Sequence, residues 1–145
     1  MALFTIERRV AAPPQTVFEV ITDHRAYPDY TPLRKAILEK EGTPVPNGVG
    51  AVRALYLVGP PMREEVIAYQ APRSFTYRLI SGLPVRDHLG IVVLTPDGEG
   101  TKLAYEIQTT PTIRPLAPLI VAVLKISIGR LVAGVAKEAE RRSPS

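Results

Sequence analysis

A chain of 145 residues is long enough for one domain with a substantial core, and 46% hydrophobic with 22% charged residues is ordinary for a globular protein. It has no cysteine, which excludes a disulfide framework, thiol catalysis and a thiolate metal site. The net charge is +4, yet the adjacent basic pairs Arg8-Arg9, Arg34-Lys35 and Arg141-Arg142 lie near Glu7, Glu39, Glu138 and Glu140, and no aromatic residues alternate with them as a base-stacking platform requires, so nucleic acid is not an expected partner.

Taken in order, the opening MALFTIERRV lacks an apolar signal region behind a basic start, so a cytoplasmic location is expected. Ala2 to Val10 sets Phe4 and Ile6 against Thr5 and Glu7, the alternation of a half-buried strand. Pro13-Pro14 suit a first helical turn. Val17, Phe18, Val20 and Ile21 then supply the apolar face of a short helix ending near Thr22. A second short turn, Asp23 to Thr31, is limited by its prolines.

Fifteen prolines cut the middle into strand-sized pieces. Strands are expected over Ala36 to Glu41, Gly50 to Val58, Met62 to Tyr69, Phe75 to Ile80, Val85 to Thr95 and Thr101 to Thr109. The clearest are the fourth, with Phe75, Tyr77 and Leu79 on one face, and the last, with Leu103, Tyr105 and Ile107. Pro96-Asp97-Gly98-Glu99-Gly100 reads as a five-residue hairpin loop. Arg53, Arg63 and Glu65 lie on strands whose two faces look equally mixed, so periodicity does not orient them.

Thr112 to Arg142 is one long helix, nearly all apolar from Leu116 to Ala139. At roughly 100° per residue, Val121, Ile128, Val132, Ala136 and Ala139 form a stripe with Lys125 in its middle, and Arg130, Lys137, Glu138 and Arg141 lie opposite. A transmembrane span is the rival reading, since about 20 apolar residues cross a bilayer. Lys125 and Arg130 speak against it, each costing roughly 2.5 to 3.5 kcal/mol near the bilayer centre. Membrane association is therefore not the favoured reading.

A strand, two short helices, six strands in meander and a long helix imply an α+β domain, helices covering one face of an antiparallel sheet. One domain over residues 1–142 is expected, with 143–145 a short disordered tail. No catalytic constellation stands out. The only histidines are His24 and His88, no Gly-x-Ser-x-Gly elbow is present, and His24 reads as a surface residue. No metal and no cofactor are expected. Asp87 and His88 are strand neighbours and face opposite ways. If the loop is closed by Thr95 and Thr101, with Val93 opposite Leu103 and Ile91 opposite Tyr105, Asp87 points inward; a slip of one residue reverses this.

Val10-Ala11-Ala12-Pro13-Pro14-Gln15-Thr16-Val17-Phe18-Glu19-Val20-Ile21-Thr22-Asp23, followed by Tyr27-Pro28-Asp29-Tyr30-Thr31-Pro32, resembles the opening of the polyketide cyclase/dehydrase branch of the START-like (SRPBCC) superfamily. Asn47-Gly48-Val49-Gly50, Tyr69 to Tyr77 and Gly98 to Leu103 are similar to its later turns and strand starts. The resemblance implies a helix-grip fold, a curved seven-stranded antiparallel sheet wrapped around the long C-terminal helix with a hydrophobic cavity between them. It also implies that Tyr27 to Pro32 sits over the cavity mouth.

On that basis the expected ligand-binding residues are Tyr30, Phe75, Tyr77, Asp87, Leu89, Ile91, Tyr105, Val121, Lys125 and Ile128. Lys125 either snorkels to water or faces inward toward Asp87 or a ligand carboxylate. Two functions follow: binding of a hydrophobic small molecule (lipid, polyketide or quinone-like), or a polyketide aromatase/cyclase or dehydratase using the same cavity. The only partner expected beyond that ligand is a second copy, the protein being a monomer or homodimer.

Overall fold

The computed structural model describes residues 1–57 and 59–143. The chain runs β1 (Ala2–Val10), α1 (Pro14–Thr22), a 3₁₀ turn (His24–Asp29), β2 (Lys35–Lys40), β3 (Val52–Tyr56), β4 (Met62–Gln70), β5 (Ser74–Ser81), β6 (Val85–Asp97), β7 (Gly100–Pro111), a second 3₁₀ turn (Arg114–Leu116) and α2 (Ala117–Arg142). The strands make one antiparallel sheet in the order β1-β7-β6-β5-β4-β3-β2. Strands β2 to β7 form the meander, while α1 and the first 3₁₀ turn carry the chain from β1 at one edge to β2 at the other. The expected end of the second meander strand at Val58, and the expected tail beyond Ser143, lie outside the described residues.

α2 packs against α1, β1 and β7. Phe75, Leu103, Ile107, Val132 and Val135 fill the space between, each at most 1% exposed. A side chain at position 134 would collide with the Tyr30 carbonyl, so Gly134 lets α2 lie directly on the turn after α1. Register shifts in the β2–β3, β4–β5 and β6–β7 ladders interrupt the pairing, and such bulges bend a sheet.

Three expectations are corrected. The hairpin loop has two residues: Asp97 pairs with Gly100 and Pro96 with Thr101, with Gly98 at a φ of +62° that suits glycine. This shifts β6 by one residue, placing Val92 opposite Tyr105 and Leu94 opposite Leu103. His88, Gly90, Val92 and Leu94 are therefore inward and buried, and Asp87 is exposed at a positive φ of 51°. Leu89 and Ile91, opposite Gln108 and Glu106, lie on the outer face.

Second, the buried side of α2 is not centred on Lys125. Leu124, Val132, Val135, Ala136 and Ala139 are its buried residues, and at ~100° per residue their centre lies about 45° away from Lys125. Lys125 is exposed, its Nζ 5.7 Å from the centre of the Phe4 ring on β1, so the side chain runs out along the helix flank to water. Third, His24 is fully buried, because its 3₁₀ turn packs against β2; its Nδ1 lies 3.3 Å from the Thr22 carbonyl and its ring meets Tyr27 edge-on.

Candidate functional site

Toward its N-terminus α2 stands off the sheet, and a cavity of about 200 Å³ opens beneath it. Leu55, Leu57 and Met62 line it from the sheet, and Leu124, Ile128 and Leu131 from the helix. Thr31, Pro32 and Leu33 close one side, held by Thr31 Oγ1 donating to the Tyr27 carbonyl at 2.6 Å and accepting from Leu33 N–H at 3.3 Å.

The polar wall is built on β3 and β4. Arg53 and Glu64 are direct cross-strand partners, and Arg53 Nε and Nη2 both lie 3.1 Å from Glu64 Oε1. The pair is 2% and 6% exposed. Burial works against the Arg53 charge, but Glu64 and the nearby hydroxyls of Tyr27, Tyr105 and Tyr77 outweigh it, so its pKa is raised and it stays a cation. Burial pushes the Glu64 carboxyl up against the pull of Arg53. The guanidinium carbon sits 5.1 Å from the Tyr77 ring centre and 5.5 Å from that of Phe75, close enough for cation–π attraction.

Next to this pair Tyr77 and Tyr105 share a hydrogen bond, oxygen to oxygen, of 2.6 Å. Burial raises both phenols well above their ordinary value of 10, so each is a neutral donor. The Tyr77 ring reaches this position because β6 carries Gly90 opposite it; a Cβ there would strike the ring. His88 completes the wall, its Nδ1 2.9 Å from Thr109 Oγ1, and burial lowers its pKa to about 4. Among the described residues no group of three or more His, Asp or Glu side chains could hold a metal ion.

Of the residues singled out from sequence, Tyr77, Tyr105 and Ile128 line this cavity. Phe75 belongs to the packed core. Tyr30 turns away, donating its hydroxyl to the Val20 carbonyl at 2.9 Å, and Tyr27 takes the place beside the cavity. Asp87, Leu89 and Ile91 are displaced by the register of β6. Val121 and Lys125 lie outside the lining.

Sequence reasoning did not name Glu64 and could not orient Arg53; it left His88 to the register of β6 and placed Tyr27 only as part of the segment over the cavity mouth. The one signal available was charge: opposite charges eleven residues apart on consecutive strands can meet across a hairpin.

The family model for polyketide cyclase / dehydrase and lipid transport matches residues 1–140. Among solved structures, TTHA0849 from Thermus thermophilus is 19% identical with a TM-score of 0.81, over 98% of this chain and 99% of that one. The Zhui aromatase/cyclase from Streptomyces sp. R1128 is 24% identical, TM-score 0.69, over 99% and 98%. A START superfamily protein from Mycobacterium smegmatis is 14% identical, TM-score 0.75, over 94% and 97%. No curated protein is significantly similar to the chain in sequence. Its sheet and long C-terminal helix make the helix-grip fold of these neighbours, and the chain belongs to the polyketide cyclase / dehydrase and lipid transport family of START-like proteins.

Proposed function

We propose that the chain binds a small apolar molecule bearing an oxygen function, with its hydrocarbon part between Leu55, Leu124 and Ile128 and its oxygen toward Arg53, Tyr77 and Tyr105. One observation carries the reading: a largely apolar cavity of about 200 Å³ whose buried polar side chains, Arg53, Glu64, Tyr77, His88 and Tyr105, gather on the sheet wall, the division that fixes a ligand's orientation. Its size limits the occupant. An engineered cavity of about 150 Å³ takes up benzene, so about 200 Å³ suits a substituted single ring or a short chain. A fused polyketide or long lipid would need the mouth to widen.

The enzymatic reading has one observation in its favour. A cation and two phenols converge on the cavity, an arrangement that stabilises oxyanion character on a bound carbonyl. Its proton acceptors are poor ones: burial holds both tyrosines protonated at neutral pH, His88, with its pKa lowered to about 4, is a weak base, and the Glu64 carboxylate on the cavity wall, though raised by burial, is engaged by Arg53. Binding is thus the stronger reading.

Native mass spectrometry of protein purified from its host is the direct test, with a co-purified apolar compound unchanged by incubation as the expected result. Titration refines it. An aryl ketone or phenol should bind about tenfold more tightly than the hydrocarbon of the same shape, the worth of about one hydrogen bond, and Tyr77→Phe should narrow that ratio. Failure of every small apolar compound to saturate would overturn the proposal, and conversion of the ligand on incubation would favour the enzyme.

A further inference from the structure

We propose that the outward face of α2 docks on an anionic lipid bilayer and holds the cavity mouth against it. Leu119, Val123 and Ile126 of α2 are 60%, 51% and 58% exposed and at ~100° per residue fall within about 60° of one another; Leu116, at the end of the 3₁₀ turn leading into the helix, is 45% exposed and extends the row. That is an ordered apolar stripe on the side of the helix away from the core. Val123 and Ile126 also border the cavity, so stripe and mouth are continuous.

Charge selects the occupant. From residue 107 to residue 137 the chain has no Asp or Glu, and Arg114 just before the helix and Arg130 and Lys137 on the stripe's side of it are exposed cations, while Lys125 points to the β1 flank. Arg130 borders the mouth, facing the same side as the stripe. An apolar stripe with cations and no acids along it fits the boundary between acyl chains and anionic headgroups. The helix is long and apolar enough to cross a membrane, and only 17% of its most apolar window is buried inside the fold. Spanning is nevertheless ruled out by its C-terminal half: Val132, Val135, Ala136 and Ala139 are core residues, each at most 1% exposed. The stripe from Leu116 to Ile126 is about 15 Å long at 1.5 Å per residue, half the hydrocarbon thickness of about 30 Å. The helix therefore lies in the interface plane, and an apolar ligand can pass between bilayer and cavity without crossing water.

Flotation with vesicles tests this. Binding to phosphatidylcholine vesicles containing phosphatidylglycerol should exceed binding to phosphatidylcholine alone by at least about tenfold, since each cation near the surface contributes about 1 kcal/mol. Raising the salt to about 1 M, where the Debye length is about 3 Å, should abolish the difference. The double variant Leu116→Glu/Leu119→Glu touches neither core nor cavity lining; it should lose vesicle binding while keeping its thermal unfolding and its affinity for an aryl ketone in solution. Arg114→Glu on its own should weaken vesicle binding several-fold. Equal binding to both vesicles, or none, overturns the proposal. So does a homodimer in sedimentation that the double variant splits, which would make a second copy the occupant. Loss of ketone binding in the parent protein alone would count against the proposed ligand and leave docking standing.

Discussion

The two ends of α2 are made of similar residues and are used differently. Around Val132, Val135, Ala136 and Ala139 the helix is pressed onto β1, β7 and α1, and small residues, above all Gly134 beneath the Tyr30 carbonyl, let it come close. Around Val123 to Leu131 it stands over β3 and β4 with a cavity in between. Packing density decides stability at the first end. At the second, surface that could have been buried against protein is left for a ligand, and a buried ion pair occupies ground where apolar residues would ordinarily sit. A helix whose apolar surface extends well beyond one stripe serves both ends, because one inserts it between layers and the other sets it between a cavity and the outside.

The largest expected effect lies in the hollow end, at its ion pair. Arg53→Met leaves Glu64 buried without a partner and should lower unfolding free energy by about 3 to 5 kcal/mol, read from urea denaturation. Arg53→Met/Glu64→Leu should recover most of that loss, since an apolar pair of similar volume is often neutral or stabilising. If the double variant is as unstable as the single one, the pair supports the sheet itself and the two ends are less distinct than described.

His88 gives the next largest effect. Its pKa falls from 6.5 to about 4 in the folded protein because burial disfavours the cation, so the unfolded chain takes up the proton first as pH falls. The neutral imidazole therefore contributes its full stability above pH 6.5, and this is lost as pH falls through about 4. The contribution is at most about 3 kcal/mol. Acid also acts on stability through other groups, so the measurement is the difference between the parent and His88→Asn, in which the side-chain amide can still meet Thr109. A difference independent of pH from 7 to 4 would refute this account.

A smaller effect compares the ends with the same substitution. Leu103, 0% exposed, is enclosed in the packed end, and Leu124, 8% exposed, borders the cavity. Leu→Ala in a core costs about 2 to 5 kcal/mol, rising with the void left behind. Leu103→Ala should fall in the upper part of that range. Leu124→Ala should cost about 2 kcal/mol less, because one side of that leucine already meets empty space, and should enlarge the ligand range instead.

How much of this could be read from sequence depends on whether a strand has one wet face. β1, β5 and β7 do, and Phe4 with Ile6, Phe75 with Tyr77, and Leu103 with Tyr105 and Ile107 were legible by alternation. β3 does not: Arg53, Ala54 and Leu55 are buried in succession, so no period of two survives and its arginine could not be turned inward. β6 failed for another reason. Pro96 suggested a loop but stays in the strand opposite Thr101, and that single step of register exchanged Asp87 for His88. The cavity was foreseeable as a consequence of fold, whereas its polar wall rests on two registers that hydropathy does not encode.

The smallest expected effect concerns Lys125, which the sequence set at the middle of the apolar stripe and the fold sets at its flank. If Lys125 faced the cavity, Lys125→Met would weaken binding of an acidic ligand and spare the matching alcohol. With its ammonium 5.7 Å from the Phe4 ring centre and its side chain outside the cavity lining, it reaches no ligand there. Removing the charge should leave the ratio of acid to alcohol affinity unchanged and alter stability by about 0.5 to 1 kcal/mol at most, the worth of an exposed cation–π contact. Calorimetric titration of an aryl carboxylic acid and its alcohol against both proteins would decide it. Selective loss of the acid would bring Lys125 back to the cavity and move the boundary between the two ends of α2 toward its N-terminus.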